Sequence, residues 1–234
     1  MQKKIKHIFF DLDNSLWDTD RNSKLTLQQM YKETEVEEKH KVGFSDFFND
    51  YYHRNEELWI LYRQNKVNKQ DILDQRFRKT FERFGITDSS IYSYFDDHFL
   101  EKVVQNNNLV DNTVETLEYL KGKGYELHVV SNGFIQQTQR KVNGTQIKEY
   151  VTTVTSGEEI NKRKPAKEVF ELGLQKANAK AEESSFIGDD WEADAIGSEK
   201  AGMFPIFFDY KKEEKYKQNG FPIIKDLLEL KSIF

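Results

Sequence analysis

Two aspartates one residue apart, Asp11 and Asp13, close the apolar run Ile8-Phe9-Phe10. Carboxylates this close repel unless a cation or a shared proton intervenes. A hard divalent ion with oxygen ligands, such as magnesium, resolves that conflict. Three further polar clusters follow apolar runs or open helices: Ser131-Asn132-Gly133, Lys164-Pro165, and Gly188-Asp189-Asp190 with Asp194 beyond it. A carboxylate can serve as a covalent nucleophile and form an aspartyl-phosphate. Phosphoryl transfer asks mainly for positioning and for neutralisation of the phosphate oxygens. Backbone N–H groups of a tight loop, a hydroxyl and a lysine can supply this, and magnesium the remainder. Taken singly, each cluster has a plainer meaning. Asp-Leu-Asp-Asn-Ser and Ser-Asn-Gly are good turns, Lys164 sits in a basic loop that solvent would cover, and the later acids could cap a helix. Their joint occurrence in one order favours the chemistry.

The elements that must position these clusters are strands of one sheet. Ile8, Phe9 and Phe10 read as a strand buried on both faces, as in parallel sheets covered by helices. Ligands of open α/β sheets sit at the carboxyl ends of the strands, where Asp11 and Asp13 stand. From Leu109 onward strand and helix alternate, which predicts a parallel sheet. Tyr125–Val130, Tyr150–Thr155, Ser185–Gly188 and Phe204–Phe208 read as strands, the last as the final core strand. Helices are expected after Asp111 or Asn112 as cap, through Gln136–Val142, from Ala166, from Ala193 to Ala201, and at the tail from Ile223 to Leu230. Right-handed crossovers put the strand ends on one edge, so clusters distant in sequence can converge.

Between the first cluster and residue 108 the chain shows no strand. Phe44, Phe47, Phe48, Tyr51, Tyr52, Leu58, Trp59 and Tyr62 recur at three- and four-residue steps, a long amphipathic helix, and Asn55 falls on the same stripe. A second helix starts at the N-cap Asn68 with Asp71 in its first turn. It turns Leu73, Phe77, Phe81 and Phe84 inward, with Arg76 beside them, and stops at Gly85. A third runs from about Asp88 with Ile91, Phe95, Phe99 and Val103. The predicted division is residues 1–17 with 109–234 as an α/β core, and 18–108 as a helical domain long enough to fold as a unit.

Hydrophobic residues make up 37% and charged residues 32% of the 234 residues, the profile of a water-soluble chain that still has 18 phenylalanines for a core. The net charge of −5 gives no support for a nucleic-acid partner. Without cysteine there is no disulfide, thiolate nucleophile or cysteine metal site. No apolar run approaches a membrane span, and Met-Gln-Lys-Lys-Ile lacks the apolar segment of a secretory signal. A cytoplasmic location, no membrane partner and a small phosphorylated metabolite as ligand are the expectations; oligomeric state is left open.

With these clusters in place the chain resembles the haloacid dehalogenase-like (HAD) hydrolase superfamily over nearly its whole length. Asp11-Leu12-Asp13-Asn14-Ser15 is similar to the first motif of that family, Ser131-Asn132 to the second, Lys164-Pro165 to the third, and Gly188-Asp189-Asp190 with Asp194 to the fourth. The resemblance implies a Rossmann-like parallel-sheet core with a helical cap inserted after the first motif. It implies Asp11 as nucleophile and Asp13 as general acid, then base. Leu12, Asp13, Ser131 and Asn132 would bind phosphate, and Lys164 would hold both phosphate and Asp11. Mg2+ would be bound by Asp11, the Asp13 carbonyl and Asp189, with Asp194 as support or ligand. Two positions depart from the family pattern. Ser15 stands where threonine is commoner and keeps the hydroxyl, and Asp190 stands where serine or threonine is common and adds charge. Within the family, Asn55-Glu56-Glu57-Leu58-Trp59 and Arg76-Phe77 resemble the cap of pyrimidine nucleotidases, which implies Asn55, Trp59 and Arg76 as contacts to a nucleoside 5′-monophosphate. Against this, Trp59 could be cap core and Asn55 and Arg76 could satisfy each other. The alternatives are a phosphatase of another metabolite such as a sugar phosphate or phosphoglycolate, a phosphomutase, which would retain the same four motifs, a hydrolytic dehalogenase on the same fold, and a non-catalytic phosphate-metabolite sensor. Asp13 argues against the dehalogenase, since a departing halide needs no proton.

Overall fold

The computed structural model describes residues 5–216 and 220–234; Met1–Lys4, where the absence of a signal was read, lie outside the described residues. The chain forms two compact units, residues 1–19 with 107–234, and residues 20–106. The division falls at Thr19 and Asn107 because residues 16–18 and 108–110 pair with each other inside the first unit. Asp18 N–H donates to Asn108 C=O at 3.0 Å and Val110 N–H to Leu16 C=O at 2.9 Å.

The first unit is built on six strands: β1 (His7–Phe10), β2 (Glu126–Ser131), β3 (Val151–Ser156), β4 (Ser184–Gly188), β5 (Phe204–Phe208) and β6 (Ile223–Ile224). All pairs are parallel, in the order β3-β2-β1-β4-β5-β6. This is a doubly wound sheet whose direction of growth reverses between β1 and β4, the place where such sheets bind ligands. β1 is buried at all four positions, as its unbroken apolar run requires.

The second unit is helical: α1 (Thr19–Glu33, its first residue counted with the core), α2 (Val36–His40), α3 (Phe44–Arg63), α4 (Lys69–Arg83) and α5 (Ser89–Asn106). Its core is aromatic. Phe47, Tyr51, Phe77, Phe81, Phe95 and Phe99 are buried, with Tyr51 stacked on Phe77 at 5.1 Å. α4 opens with the expected cap: Asn68 Oδ1 accepts from Asp71 N–H at 3.0 Å, and Asp71 returns the favour to Asn68 N–H at 2.7 Å, worth about 1 kcal/mol. Gly85 ends it at φ 73°. Ile72, rather than Leu73, takes the interior position, and Leu73 and Phe84 are half-buried.

The helices of the first unit are α6 (Thr113–Gly122), α7 (Ile135–Asn143), α8 (Lys167–Lys176), α9 (Gly197–Lys200) and α10 (Leu230–Ile233). Val169, Phe170 and Leu174 of α8, with Ala177 just past its end, pack against Phe9, Val130 and Phe186 of three adjacent strands. Each fully buried side chain of this size contributes about 1.5–3 kcal/mol. The helix expected from Ala193 to Ala201 is present: residues 191–196 wind as a wide π-type helix that runs directly into α9. Two expectations are corrected. Asn112 precedes α6, but its side chain makes no cap; it adopts φ 65° and donates to Asp226 at 3.0 Å instead. Ile223–Ile224 is a sixth strand rather than a terminal helix, because backbone groups of β5 at Phe207 and Phe208 pair with it. Among the described residues no helix is long and apolar enough to cross a membrane.

Candidate active site

Four strand ends meet at one edge of the core unit. β1 delivers Asp11, whose N–H donates to Ile187 C=O of β4 at 2.8 Å. The chain then turns tightly: Leu12 is fully buried, its carbonyl accepts from Leu16 and Trp17 N–H at 3.0 and 2.8 Å, and Asn14 takes φ 57°. Asparagine tolerates this left-handed conformation better than most residues.

Lys164 holds the centre. It follows β3 in the chain, and the Lys164-Pro165 peptide is cis. The residue is 1% exposed, and its ammonium lies 2.6 Å from Asp11 Oδ1, 2.7 Å from Asp194 Oδ1 and 2.9 Å from Val130 C=O. The backbone is fixed by Asn132, whose Oδ1 accepts from Lys164 N–H at 2.7 Å while its Nδ2 donates to Lys164 C=O at 3.1 Å. The second cluster therefore positions the third. Ser131, at the end of β2, accepts from Gly133 N–H at 2.9 Å. Ser156, at the end of β3, donates to Gly133 C=O at 2.7 Å.

Asp11, Asp189 and Asp194 bring one carboxylate oxygen each to within 4.8 Å of the others. Ser15 keeps the hydroxyl of the first motif and donates it to Asp189 Oδ1 at 3.1 Å. Asp190 is occupied otherwise. Its Oδ1 accepts from Ala193 N–H at 2.8 Å, and its own N–H donates to Asp194 Oδ2 at 3.0 Å. The extra acid of the fourth motif thus caps the π-type turn and orients Asp194. Gly188 leaves room for this, since a Cβ there would stand 2.2 Å from Asp194 Oδ2.

The electrostatics follow from burial. Desolvation, only partly offset by Lys164 and reinforced by Asp194 and Asp13, pushes Asp11 up to about 7. Desolvation and the neighbouring Asp11 raise Asp189 well above the usual carboxylate range, and desolvation raises Asp194 against the pull of Lys164. Burial lowers Lys164, but Asp11 and Asp194 together raise it further. One ammonium does not neutralise three carboxylates. The donor set is all oxygen and hard, and it fits Mg2+.

The Asp13 carboxylate lies outside this trio. It accepts from Thr19 Oγ1 at 2.5 Å and pairs with the Lys141 ammonium, which also sits 4.3 Å over the Trp17 ring. Sequence reasoning missed Lys141 and Thr19. Lys141 stands on the polar face of α7, one lysine of a lysine-rich chain, and only the fold brings it to Asp13.

Every core residue expected at the site is brought together here. Asn55, Trp59 and Arg76 belong to the helical unit. Tyr51, Asn55 and Trp59 follow one stripe of α3 at four-residue steps, with Trp59 edge-on to Tyr62 at 5.5 Å. Arg76 is 2% exposed, its guanidinium 4.8 Å from the centroids of both Phe77 and Phe99, and its Nε and Nη2 have no hydrogen-bond partner.

The family model of haloacid dehalogenase-like hydrolases matches residues 8–208. The chain belongs to this family and is a hydrolase. It is 26% identical over 217 residues to the pyrimidine 5′-nucleotidase PynA of Streptococcus pneumoniae, covering 91% of this chain and 87% of that protein. It is 25% identical to the pyrimidine 5′-nucleotidase YjjG of Escherichia coli, covering 84% and 82%. The crystal structure of the HAD-hydrolase YfnB of Bacillus subtilis bound to magnesium superposes with a TM-score of 0.86 at 19% identity, over 99% of each chain. That likeness concerns the fold.

Proposed function

We propose that this chain is a magnesium-dependent phosphomonoester hydrolase that works through an aspartyl-phosphate on Asp11 and acts on nucleoside 5′-monophosphates. The observation that carries the reading is Lys164 at 2.6 Å from Asp11 in a buried acidic trio, with Asp13 held apart by Thr19 and Lys141. Lys164 aims the Asp11 carboxylate and neutralises a phosphate oxygen beside it. The Ser131–Gly133 turn offers a hydroxyl and backbone N–H groups to the other oxygens. Asp11 forms the bond to phosphorus as the bond to the leaving oxygen breaks, and Asp13 delivers the proton that oxygen needs. Asp13 then takes a proton from water, whose oxygen attacks the phosphorus and frees Asp11. Asp11, Asp189, Asp194 and the Asp13 carbonyl would hold Mg2+, which supplies charge neutralisation between phosphate and carboxylates.

The leaving group is read by the helical unit. Trp59, on one stripe of α3 with Asn55, offers a flat aromatic face of the kind that stacks on bases, Asn55 offers a donor and an acceptor to a base edge, and Arg76 carries unpartnered donors. The two nucleotidase relatives favour the same substrate class. The test is a phosphatase panel of nucleoside monophosphates, sugar phosphates and phosphoglycolate, with and without Mg2+, on wild type and Asp11→Asn. Turnover that needs both Mg2+ and Asp11, highest on pyrimidine nucleotides, is expected. Full turnover by Asp11→Asn overturns the covalent route, and a preference for sugar phosphates overturns the substrate class.

A further inference from the structure

The opposite edge of the sheet, where the strands begin, holds a second convergence of donors. His7 opens β1 and Glu126 opens β2, and they are register partners; His128 pairs with Phe9 one step along the same face. His7 Nδ1 and His128 Nε2 face each other at 3.2 Å, and Glu126 Oε2 lies 3.8 Å from His7 Nδ1. All three donor atoms fall within 4.8 Å of one another. We propose that His7, His128 and Glu126 form a binding site for a divalent transition ion of the zinc class, separate from the acidic trio.

The geometry suits such an ion. Zinc binds imidazole nitrogen at about 2.0–2.1 Å in a tetrahedron, so neighbouring ligand atoms stand about 3.3 Å apart. The two ring nitrogens already have that spacing, and the Glu126 side chain, 59% exposed, is free to close the third. Two nitrogens and one carboxylate favour zinc, copper or nickel over magnesium. His128 is held in the required orientation. Its ring stacks on Phe9 at 4.5 Å between centroids, and its Nδ1 lies 3.0 Å from Thr153 Oγ1 on β3. An Nδ1–H donated to that hydroxyl leaves the Nε2 lone pair toward His7, the outer contact that metal-binding histidines commonly have. His128 is fully buried and His7 is 8% exposed, whereas Glu126 faces solvent and gives the ion its entry and a water its place. Without the ion the two imidazoles share one hydrogen bond. With it, the His7 proton moves from Nδ1 to Nε2, so both imidazoles stay neutral and no net proton is lost. The length of β1 separates this site from Asp11 by about 13 Å.

The test is a calorimetric titration of the untagged, chelator-treated full chain with Zn2+ in millimolar Mg2+, which occupies the acidic trio, followed by the visible spectrum of the Co2+ form. One equivalent at micromolar affinity or tighter, with the absorption of four-coordinate Co2+, is expected. Glu126→Gln at the exposed position should keep the fold and weaken binding about tenfold or more, and Thr153→Val should weaken it about tenfold through the orientation of His128. His7→Gln should abolish it. Binding of Zn2+ that disappears once Mg2+ is present, or that is unchanged in both Glu126→Gln and His7→Gln, overturns the proposal.

Discussion

Replacing Lys164 with methionine tests the electrostatic design of the site. Methionine fills nearly the same volume, so no large cavity is made. What is lost is the ammonium that sits within 2.9 Å of two carboxylates and one carbonyl. Three buried acids then face each other with no cation, and the folded chain answers by binding about one proton more than the wild type. Asp11 is at about 7 even with Lys164 beside it, and loses a partner that lowers it. A carboxyl group whose value is raised on folding stabilises the protein below its unfolded value and loses that stability as pH rises through its folded value. Each pH unit in that window costs about 1.4 kcal/mol. Wild-type Asp11 is itself protonated up to about 7, so the extra loss of the variant falls between about pH 7 and pH 8 and amounts to about 1.4 kcal/mol. For a chain of this length it corresponds to about 3–6 °C in Tm. Thermal unfolding of both proteins at pH 5 and pH 8 measures it. Added Mg2+ should recover most of the loss at pH 8 while phosphatase turnover stays absent. A Tm difference that is the same at both pH values would refute the charge argument and leave Lys164 as packing.

Asp13→Ala should slow hydrolysis of alkyl phosphates by about 10²–10⁴ and of p-nitrophenyl phosphate far less, because p-nitrophenolate leaves unaided; equal losses count against proton donation. Lys141→Met should show the same selectivity at about tenfold, since it acts by holding Asp13; kcat ratios on the two substrates decide. Gly188→Ala places a Cβ where Asp194 Oδ2 now stands, so half-saturation by Mg2+ should rise about tenfold, and an unaltered Mg2+ curve refutes the close packing. Arg76→Met removes a buried guanidinium with two unsatisfied nitrogens. Tm should change by only a few degrees, while kcat/KM falls at least tenfold on nucleotides but not on p-nitrophenyl phosphate; a parallel fall on both makes Arg76 architecture.

Part of the strand-end edge was legible because its residues end or directly follow a strand, where polarity changes abruptly along the chain. Asp11, Ser131 and Asp189 announce themselves this way, and the all-parallel sheet places them together by topology. Lys141 had no such signal, since a helix face full of polar residues looks alike whether it meets water or the Asp13 carboxylate, and Thr19 opens α1, a helix the sequence pattern did not show. α1 was missed for a related reason: Asn22 and Thr26 are among its buried residues, which blurs the apolar stripe that betrays a helix. A two-residue strand such as β6 is too short to show alternation, so Ile223-Ile224 took on the period of the residues after it. The role of Asp190 as a cap depends on a 2.8 Å bond to Ala193 N–H, which spacing alone does not separate from metal ligation.

The segments that leave and rejoin the core are zipped together before the helical unit begins. Trp17 bridges Leu109 in antiparallel fashion, and Asp18 is bonded to Asn108. Residues 20–106 therefore hang from a closed neck, as a graft hangs from a rootstock. Loop closure costs only about 0.6 kcal/mol more for each doubling of length, so the neck is nearly indifferent to what it carries. A descendant could trade this bundle for a short turn, or for a bundle of different make, without reopening the sheet. The neck makes vocabulary exchangeable while the grammar of the strand ends stays constant. A transplant cut at Asp18 and Asn108 carries over the whole insert and leaves Asp11, Lys164 and Asp189 untouched.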